Sequence, residues 1–304
     1  MNETDLSRLG TEQANPRSSS IDRLDTAGIL QLINDEDRLV AAAVGAILPD
    51  ITEAVDRIHE RMLTGGRLIY VGSGTSGRLG VLDAAECPPT YGTDPNEIMA
   101  IMAGGRGAVF QAVEGAEDDR EQGRRDLAAV DLKPADSVVG IAASGRTPYV
   151  IGALEYANEI GALTISLSTV TDAEIGRQAK VRLAPVTGPE VVTGSTRMKS
   201  GTAQKLVLNM LSTALMIKRG KVYGNYMVDL RATNEKLRKR AQRTVMAITG
   251  VTEQEAWQLL EAANLHVKTA VAMHWLGSTA DAARRRLDAV DGQLHLLAPD
   301  GEPT

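Results

Sequence analysis

The sequence predicts an α/β protein with a doubly wound, mostly parallel sheet and a small C-terminal helical domain. Between residues 67 and 186, short apolar runs that end near Gly or Ser alternate with segments of helical spacing. This alternation is typical of strand–helix–strand units, in which helices cover both faces of a parallel sheet. From about residue 235 onward, only segments of helical spacing follow, separated by short polar stretches.

The first half of the chain is predicted to contain two helices and then two strands. Apolar residues from Ile29 to Met62 recur at helical spacing and are interrupted by Pro49, which favours two helices over one. Residues 67–72 and 98–103 are predicted as buried strands. A loop at 73–77 and a helix at 78–85 follow the first strand, and a helix through 110–113 follows the second.

The strand–loop–helix pattern then repeats. Strands are predicted at 137–143, 163–168 and 181–186, with a helix at 149–160. A polar segment at 188–205 leads into a long apolar helix without Gly or Pro before Gly220. In such sheets, ligands bind outside the carboxyl ends of the strands. The polar residues that follow each strand are therefore the first candidates for a binding site.

The C-terminal region is predicted as a bundle of short helices near 245–248, 252–263, 267–275 and 280–290. Thr252 and Glu255 have the spacing of a capping box, which marks the start of a helix. The predicted domain limits are a polar arm at 1–20, the α/β domain at 21–234, the helical domain at 235–295 and a disordered tail at 296–304.

Composition excludes several classes of function. The net charge of −6 and the single Phe argue against a nucleic-acid-binding protein, which needs basic surface or stacking aromatics. No apolar run approaches the roughly 18 residues of a membrane span. The N-terminus lacks a signal-peptide pattern, and the single Cys87 suits a reducing cytoplasm. The four histidines show no metal-ligand spacing, so no metal site is predicted.

Two hydroxyl-rich loops follow predicted strands and are candidate ligand sites. The first contains Thr75 and Ser76, and it matches neither a dinucleotide-binding nor a Walker loop. Its hydroxyl groups suit a sugar or a single phosphate. The second loop occupies the equivalent position after the strand at 137–143 and contains Ser144, Gly145, Arg146 and Thr147. Two such loops at one sheet edge favour a phosphorylated small molecule as the ligand.

The polar segment at 188–205 is a third candidate. It carries Ser195, Thr196, Arg197 and Lys199 just before a long apolar helix. The free N–H groups and positive end of a helix attract anions, so these residues suit a phosphate or carboxylate. The same residues suit an anchor for the helix at a subunit interface. The sequence leaves both interpretations open.

The acidic candidates are harder to rank. Glu86 precedes Pro88 and Pro89, which predicts a position at the end of a helix. Such a carboxyl group is either partly desolvated and suited to proton transfer, or simply solvated, and composition favours the second. Glu114 and Glu117 lie in an acidic run and are predicted to share a helical face. Residue chemistry alone selects none of them as catalytic.

Several motifs resemble those of a known family. Gly188-Pro189-Glu190, followed by Thr193-Gly194-Ser195-Thr196-Arg197-Met198-Lys199 and Lys205, resembles the signature shared by N-acetylmuramic acid 6-phosphate etherases and the glucokinase regulatory protein. Further stretches similar to the bacterial etherases lie at 33–37, 72–80, 86–92, 112–118 and 142–149. The resemblance extends over roughly residues 20 to 290.

The resemblance implies a sugar isomerase (SIS) fold, a Rossmann-like sandwich that binds phosphosugars, and a small ubiquitin-associated-like helical domain. It implies a homodimer that cleaves the D-lactyl ether of N-acetylmuramic acid 6-phosphate without metal or organic cofactor, in recycling of cell-wall sugars. The family's motifs match Glu86 to the proton donor and Glu117 to the second catalytic carboxylate, taken as the base at C2.

Three other functions compete with this one. A non-catalytic sensor of sugar phosphates needs the same loops but no placed acid and base, so Glu86 and Glu117 favour an enzyme. An aldose–ketose phosphate isomerase would remove a similar proton but needs no acid at C3. A transcriptional regulator is disfavoured, because no helix-turn-helix precedes the sugar-binding region.

Overall fold

The computed structural model describes residues 10–230, 232 and 234–299. These residues form two compact units. The first consists of the chain up to Ala85 together with Asn96–Leu211, and the second consists of Glu86–Pro95 together with the chain from Ser212 onward. The chain passes from one unit to the other inside two helices, after Ala85 and after Leu211, and not at residue 234. The domain limits drawn from the sequence therefore stay a prediction. No described helix has the length and apolar character needed to cross a membrane.

Two helices precede the sheet, as the apolar spacing predicts. Helix α1 spans Thr26–Gly45 and begins at Asp25, whose side chain accepts a hydrogen bond from the backbone N–H of Gly28. Helix α2 spans Leu48–Leu63 and carries Pro49 in its first turn, where the missing N–H costs no helical hydrogen bond. The proline therefore starts the second helix and explains the break between the two.

A five-stranded parallel sheet forms the centre of the first unit. The strands are β1 Leu68–Gly72, β2 Ile98–Met102, β3 Ser137–Ile141, β4 Leu163–Leu167 and β5 Val181–Leu183. Their order is β2-β1-β3-β4-β5, and every pairing is parallel. The predicted strands and the doubly wound topology are confirmed. The order reverses between β1 and β3, which makes the carboxyl edge near these strands the expected ligand position.

Helices cover both faces of this sheet. Ile69, Val71 and Val138 pack in one cluster with residues of α4 Arg120–Ala128, α5 Pro148–Ile160 and α6 Glu174–Arg177. The alternate residues of the strands face α3, which spans Gly74–Tyr91. A methyl group on Gly80 of α3 would lie only 3.0 Å from Cβ of Tyr70 in β1. A glycine at this position therefore lets the helix pack close to the sheet.

Three local predictions were wrong. Helix α3 begins at Gly74, so most of the predicted loop at 73–77 is its first turn. Pro88 and Pro89 lie inside α3, and the hydrogen bond from Gly92 N to Pro88 O shows that the last turn closes after them. The predicted helix through 110–113 is a 3₁₀ turn at Arg106–Val109. Glu114 and Glu117 lie in the turns that follow it, so they share no helical face.

The second unit contains the predicted helices and one hairpin that the sequence did not predict. After α7 Lys199–Lys218, strands β6 Val222–Tyr223 and β7 Tyr226–Met227 form an antiparallel pair. The helices are α8 Glu235–Thr249, α9 Glu253–Ala262, α10 Val267–Leu276 and α11 Ala280–Asp288. The capping box of Thr252 and Glu255 is confirmed.

The predicted arm and tail are partly ordered. Asn15 and Ser18 are buried in the first unit, so the described part of the arm packs on the fold. A 3₁₀ turn at Leu294–Leu297 buries Leu297 at the start of the predicted tail. The predictions for residues 1–9 and 300–304 lie outside the described residues.

A buried carboxylate ties the hairpin of the second unit to α10. Asp229 Oδ1 lies 3.0 Å from Nε2 of His266, and Oδ2 lies 2.8 Å from Nζ of Lys268 and 2.9 Å from Nζ of Lys221. Burial raises the pKa of Asp229, but the hydrogen bond from His266 and the two lysine charges outweigh it and hold the pKa well below its usual range. The folded state therefore favours the ionised carboxylate.

This cluster predicts a specific pH dependence of stability. Asp229→Asn leaves Lys268 buried beside a neutral partner, which is expected to lower the free energy of unfolding at pH 7 by about 3 kcal/mol. Because the folded pKa of Asp229 is depressed, its contribution is fully present above the unfolded pKa of about 3.9, begins to fall below that value, and is lost only as the pH passes the folded pKa. Urea unfolding from pH 7 to pH 3 should show the difference between the parent and the variant beginning to narrow below about pH 4.

The matched control is Asp288→Asn, because Asp288 is exposed at the end of α11. That variant should follow the parent at every pH. A deficit in Asp229→Asn that stays constant down to pH 3 would contradict the assigned role of the carboxylate.

Candidate functional site

Three helices of the first unit begin beside the carboxyl edge of the sheet. Ser76 in the first turn of α3 donates a hydrogen bond from Oγ to Oε1 of Gln204 in α7, over 2.9 Å. A methyl group on Gly201 of α7 would lie 3.4 Å from Cγ2 of Thr75. The first turns of α3 and α7 are therefore in direct contact. Helix α5 begins after the loop that follows β3.

The loop after β3 has the compact geometry of a binding turn. Gly145 has a φ of +70°, and a methyl group there would lie 2.4 Å from Cβ of Ala173, so only glycine fits. Arg146 Nε is buried and has no hydrogen-bond partner among the described residues, and a carboxylate oxygen of Glu174 lies 3.9 Å away. Thr147 stands at the start of α5 without capping it through its side chain. This loop thus presents one donor without a partner, Nε of Arg146, beside the start of α5.

A small cavity lies beyond the carboxyl ends of β1 and β2. Its volume is about 190 Å³, and Ser73, Arg78, Glu114 and Glu117 supply its polar lining. Ser73 Oγ donates a hydrogen bond to Oε2 of Glu117 over 3.2 Å. The guanidinium group of Arg78 donates to the carbonyl oxygens of Ala108 and Val109, which fixes the wall of the cavity. The cavity therefore combines a solvent-accessible carboxylate with a hydroxyl group that orients it.

The backbone of Glu117 is fixed although its side chain is exposed. The turn that contains it includes Gly115, with a φ of +70°, and is closed by a hydrogen bond from Asp118 N to Gly115 O over 3.1 Å. The carbonyl oxygen of Glu117 accepts a hydrogen bond from Tyr149 N, in the first turn of α5, over 3.0 Å. The chain thus holds Glu117 between the ends of β1 and β3.

Glu86 lies on α3 in the second unit, three residues before Pro89. Its side chain is exposed, whereas the neighbouring Cys87 is buried at 2%. Of the two interpretations given above, the structure supports a solvated carboxyl group and not a desolvated one. The position is inside a helix, since α3 continues through both prolines to Tyr91.

The polar segment at 188–205 differs most from its prediction. Helix α7 begins at Lys199, and its first N–H groups donate to the carboxylate of Glu190. The helix N-terminus predicted to be open to an anion is therefore occupied by a side chain of the same segment. Lys199 is 1% exposed and binds Glu36, while Arg197 is exposed. Ser195 and Thr196 are half-buried in the turn before the helix.

Sequence reasoning missed three of the four polar residues that line the cavity, since it selected only Glu117. Ser73 is the first residue after β1, and Arg78 lies one turn into α3. Their position just after a predicted strand was the signal in the sequence that could have identified them. Glu114 was considered but not selected. Glu190 also has a role that the sequence could have indicated, because an acid shortly before a helix is a recognised partner for its N-terminus.

A wider cavity of about 820 Å³ lies in the second unit, and four of its ten lining residues are basic. Lys236, Lys239, Arg240 and Arg243 project from α8, and Lys239 pairs with Glu235. None of the residues that line this cavity belongs to a parallel strand or to a hydroxyl-rich loop. We therefore place the candidate site at the sheet edge despite its smaller volume. Nowhere in the described chain do three or more His, Cys, Asp or Glu side chains cluster in a way that would hold a metal ion.

Family models match most of the chain. The N-terminal SIS domain of the glucokinase regulatory protein matches residues 50–158, and the SIS domain matches residues 117–214. A UBA-like domain matches residues 243–276, which cover the second half of α8 and all of α9 and α10. A solved structure from Bacteroides fragilis NCTC 9343, described as a phosphosugar isomerase involved in capsule formation, shares the fold at 19% identity. It covers 65% of this chain and 95% of its own, with a TM-score of 0.50.

Curated relatives are similar over nearly the full length. One from Caldanaerobacter subterraneus subsp. tengcongensis is 54% identical over 95% of this chain and 94% of its own length. Another, from Clostridium beijerinckii, is 52% identical over 97% of both chains. Both are named N-acetylmuramic acid 6-phosphate etherase. On this identity and coverage, the chain belongs to the N-acetylmuramic acid 6-phosphate etherases, a family of carbon–oxygen lyases built on a SIS domain.

Proposed function

We propose that this chain converts N-acetylmuramic acid 6-phosphate to N-acetylglucosamine 6-phosphate and D-lactate. The observation that carries the proposal is the placement of Glu117 beside Ser73 in a cavity at the carboxyl ends of β1 and β2. This is the edge at which sheets of this type bind ligands. The family of the chain supplies the substrate class, and the cavity supplies a carboxylate that can reach it.

The reaction follows from the acidity of the open-chain sugar. The C1 aldehyde acidifies the proton on C2, and the ether oxygen on C3 is beta to that carbonyl. Glu117 removes the C2 proton, and Ser73 holds its carboxylate in position. The C3–O bond then breaks as the C2–C3 double bond forms, and Glu86 protonates the departing lactate oxygen. Water adds its oxygen to C3 and a proton to C2. The sequence of steps needs no cofactor.

The polar loops supply the proposed contacts to the sugar and its phosphate. Arg146, beside the start of α5, has a buried Nε donor that has no partner among the described residues. The proposed contacts are Thr75, Ser76, Ser144, Gly145, Arg146, Thr147, Ser195, Thr196 and Arg197. Lys199 is left out of this set, because its ammonium group is already paired with Glu36.

Isotope exchange separates the two catalytic roles. In D₂O, Glu117→Gln should lose both D-lactate release and exchange of the C2 proton, by about 10²–10⁴-fold, because it lacks the base. Glu86→Gln should lose lactate release by a similar factor but keep C2 exchange, because it lacks only the acid. Mass spectrometry of the recovered sugar and an assay for D-lactate measure the two quantities.

Glu121→Gln is the matched control, since Glu121 is an exposed acid near Glu117 in the sequence with 70% of its side chain accessible. It should behave as the parent. Wild-type turnover in a folded Glu117→Gln variant would refute the assignment of the base. Binding of the sugar phosphate by the parent without any lactate release would favour the alternative, a non-catalytic sensor.

We also propose that the chain acts as a homodimer, as the resemblance implies. Phe110 is 93% exposed, and Leu82 and Val113 in the same unit are 54% and 49% exposed. Large apolar side chains left open to water favour burial by a partner surface. The segment that carries Phe110 and Val113 also leads to the turn of Glu117, so a second copy there would border the candidate site.

Phe110→Asp is expected to weaken the dimer, because association would bury a charge in place of an aromatic ring. Sedimentation velocity should show a monomer fraction in the variant at concentrations where the parent is dimeric. Leu63→Asp provides a control at another exposed apolar residue of the first unit, 66% accessible. Equal dimerisation of parent and Phe110→Asp would exclude this surface.

A further inference from the structure

The first turn of α7 holds an anion that belongs to the chain itself. Glu190 is completely buried, and its Oε2 and Oε1 atoms accept hydrogen bonds from Lys199 N and Ser200 N, over 3.0 and 2.9 Å. Free N–H groups at a helix N-terminus favour negative charge. Glu190 therefore occupies the position that an external phosphate would take at this helix.

A buried ion pair holds the side chain of Lys199, the first residue of α7. Lys199 Nζ lies 2.6 Å from Oε2 of Glu36, and the two side chains are 1% and 2% exposed. Asn15 Nδ2 donates to the same oxygen over 2.9 Å, and Arg17 Nη1 lies 3.1 Å from Oε1. The charges of this cluster therefore balance, since Glu190 and Glu36 are negative and Lys199 and Arg17 are positive. A buried lysine tolerates such a position only when it is paired.

The cluster extends to the polypeptide on both sides of Glu190. Asn15 Nδ2 lies 3.4 Å from the carbonyl oxygen of Pro189, and Ser18 Oγ donates to the carbonyl oxygen of Val191 over 2.8 Å. Asn15 and Ser18 therefore hold the backbone on both sides of Glu190 in place. The cluster also links the start of α7 to α1 through Glu36.

The first turn of α7 is also connected to the loop after β3. Ser200 Oγ lies 3.0 Å from Oγ1 of Thr169, and the same Thr169 atom lies 3.1 Å from the carbonyl oxygen of Ala143. Ala143 immediately precedes Ser144, the first residue of that loop. A displacement of α7 would therefore be transmitted to the loop that carries Arg146.

We propose that Glu190, Lys199 and Glu36 are positioning residues, which hold α7 and its two neighbouring polar segments in place and make no contact with the substrate. Glu190 fills the helix N-terminus, and the Lys199–Glu36 pair fixes the turn at 195–198. Arg197 remains the exposed cation of that turn and is free to meet an anionic ligand. The kinetic part of this inference rests on the proposed function, whereas the structural part does not.

A double-mutant cycle on Lys199 and Glu36 separates positioning from contact. Each of Lys199→Met and Glu36→Gln should lower Tm by about 10 °C, because each leaves a buried group without its partner. The double variant removes both charges, so its Tm should fall by less than the sum of the single changes. Its kcat/KM for N-acetylmuramic acid 6-phosphate should recover to within about tenfold of the parent.

A direct contact between Lys199 and the substrate predicts the opposite kinetics. KM would then be raised in the double variant as much as in Lys199→Met. Additive changes in Tm would show that Lys199 and Glu36 are not coupled. Arg197→Met is the matched control, because it removes a cation from the same turn at an exposed position. It should leave Tm unchanged and raise KM.

Anion rescue tests Glu190 without any assay of activity. Glu190→Ala empties the N-terminus of α7, and acetate or formate at about 100 mM should raise Tm of this variant and not that of the parent. Glu190→Gln, which keeps one acceptor, should be less destabilised and show little rescue. Equal effects of acetate on all three proteins would overturn the proposal. Absence of lactate release in the parent would refute the proposed function and leave the Tm results unaffected.

Discussion

The architecture of the first unit depends on how the N-termini of its helices are satisfied at one edge of a parallel sheet. Helices that begin there expose backbone N–H groups and a positive dipole end. At α7, the buried carboxylate of Glu190 meets this demand from within the chain. At α5, Pro148 has no N–H, and Tyr149 N donates to the carbonyl oxygen of Glu117, while Nε of the adjacent Arg146 has no partner among the described residues. The same edge thus contains a helix start that is satisfied by a buried carboxylate and, beside another helix start, a buried guanidinium donor that has no partner among the described residues.

The sheet could be predicted from the sequence because the signals that specify its strands are local. Each strand is a short apolar run, and the parallel order follows from the helices between the runs. The errors arose where local signals conflict with tertiary structure. Gly74 and its neighbouring hydroxyl residues are typical of a loop, yet they begin α3 against the end of β1. Pro88 and Pro89 are tolerated near the end of that helix, where few hydrogen bonds remain to be lost.

The candidate site and the contacts that hold it in place were predictable only in part, because both join residues that are far apart in the chain. Ser73 and Glu117 are separated by 44 positions, and Lys199 and Glu36 by 163. No spacing rule connects such residues, so composition alone left the ranking of the carboxylates open. The motifs located the polar segments correctly at the sheet edge. They gave no indication that Lys199 is turned into the protein while Arg197 faces solvent.

The buried partners of Glu190 bear on what the shared signature identifies. Its acid and one of its cations are involved in contacts within the chain, whereas the proposed base lies in a separate exposed turn. Selection for a stable helix start would preserve these signature residues in any protein with this architecture, whether or not it cleaves an ether. On the proposed roles of Glu86 and Glu117, proteins that share the signature are better sorted into catalysts and sensors by these two positions than by the signature itself.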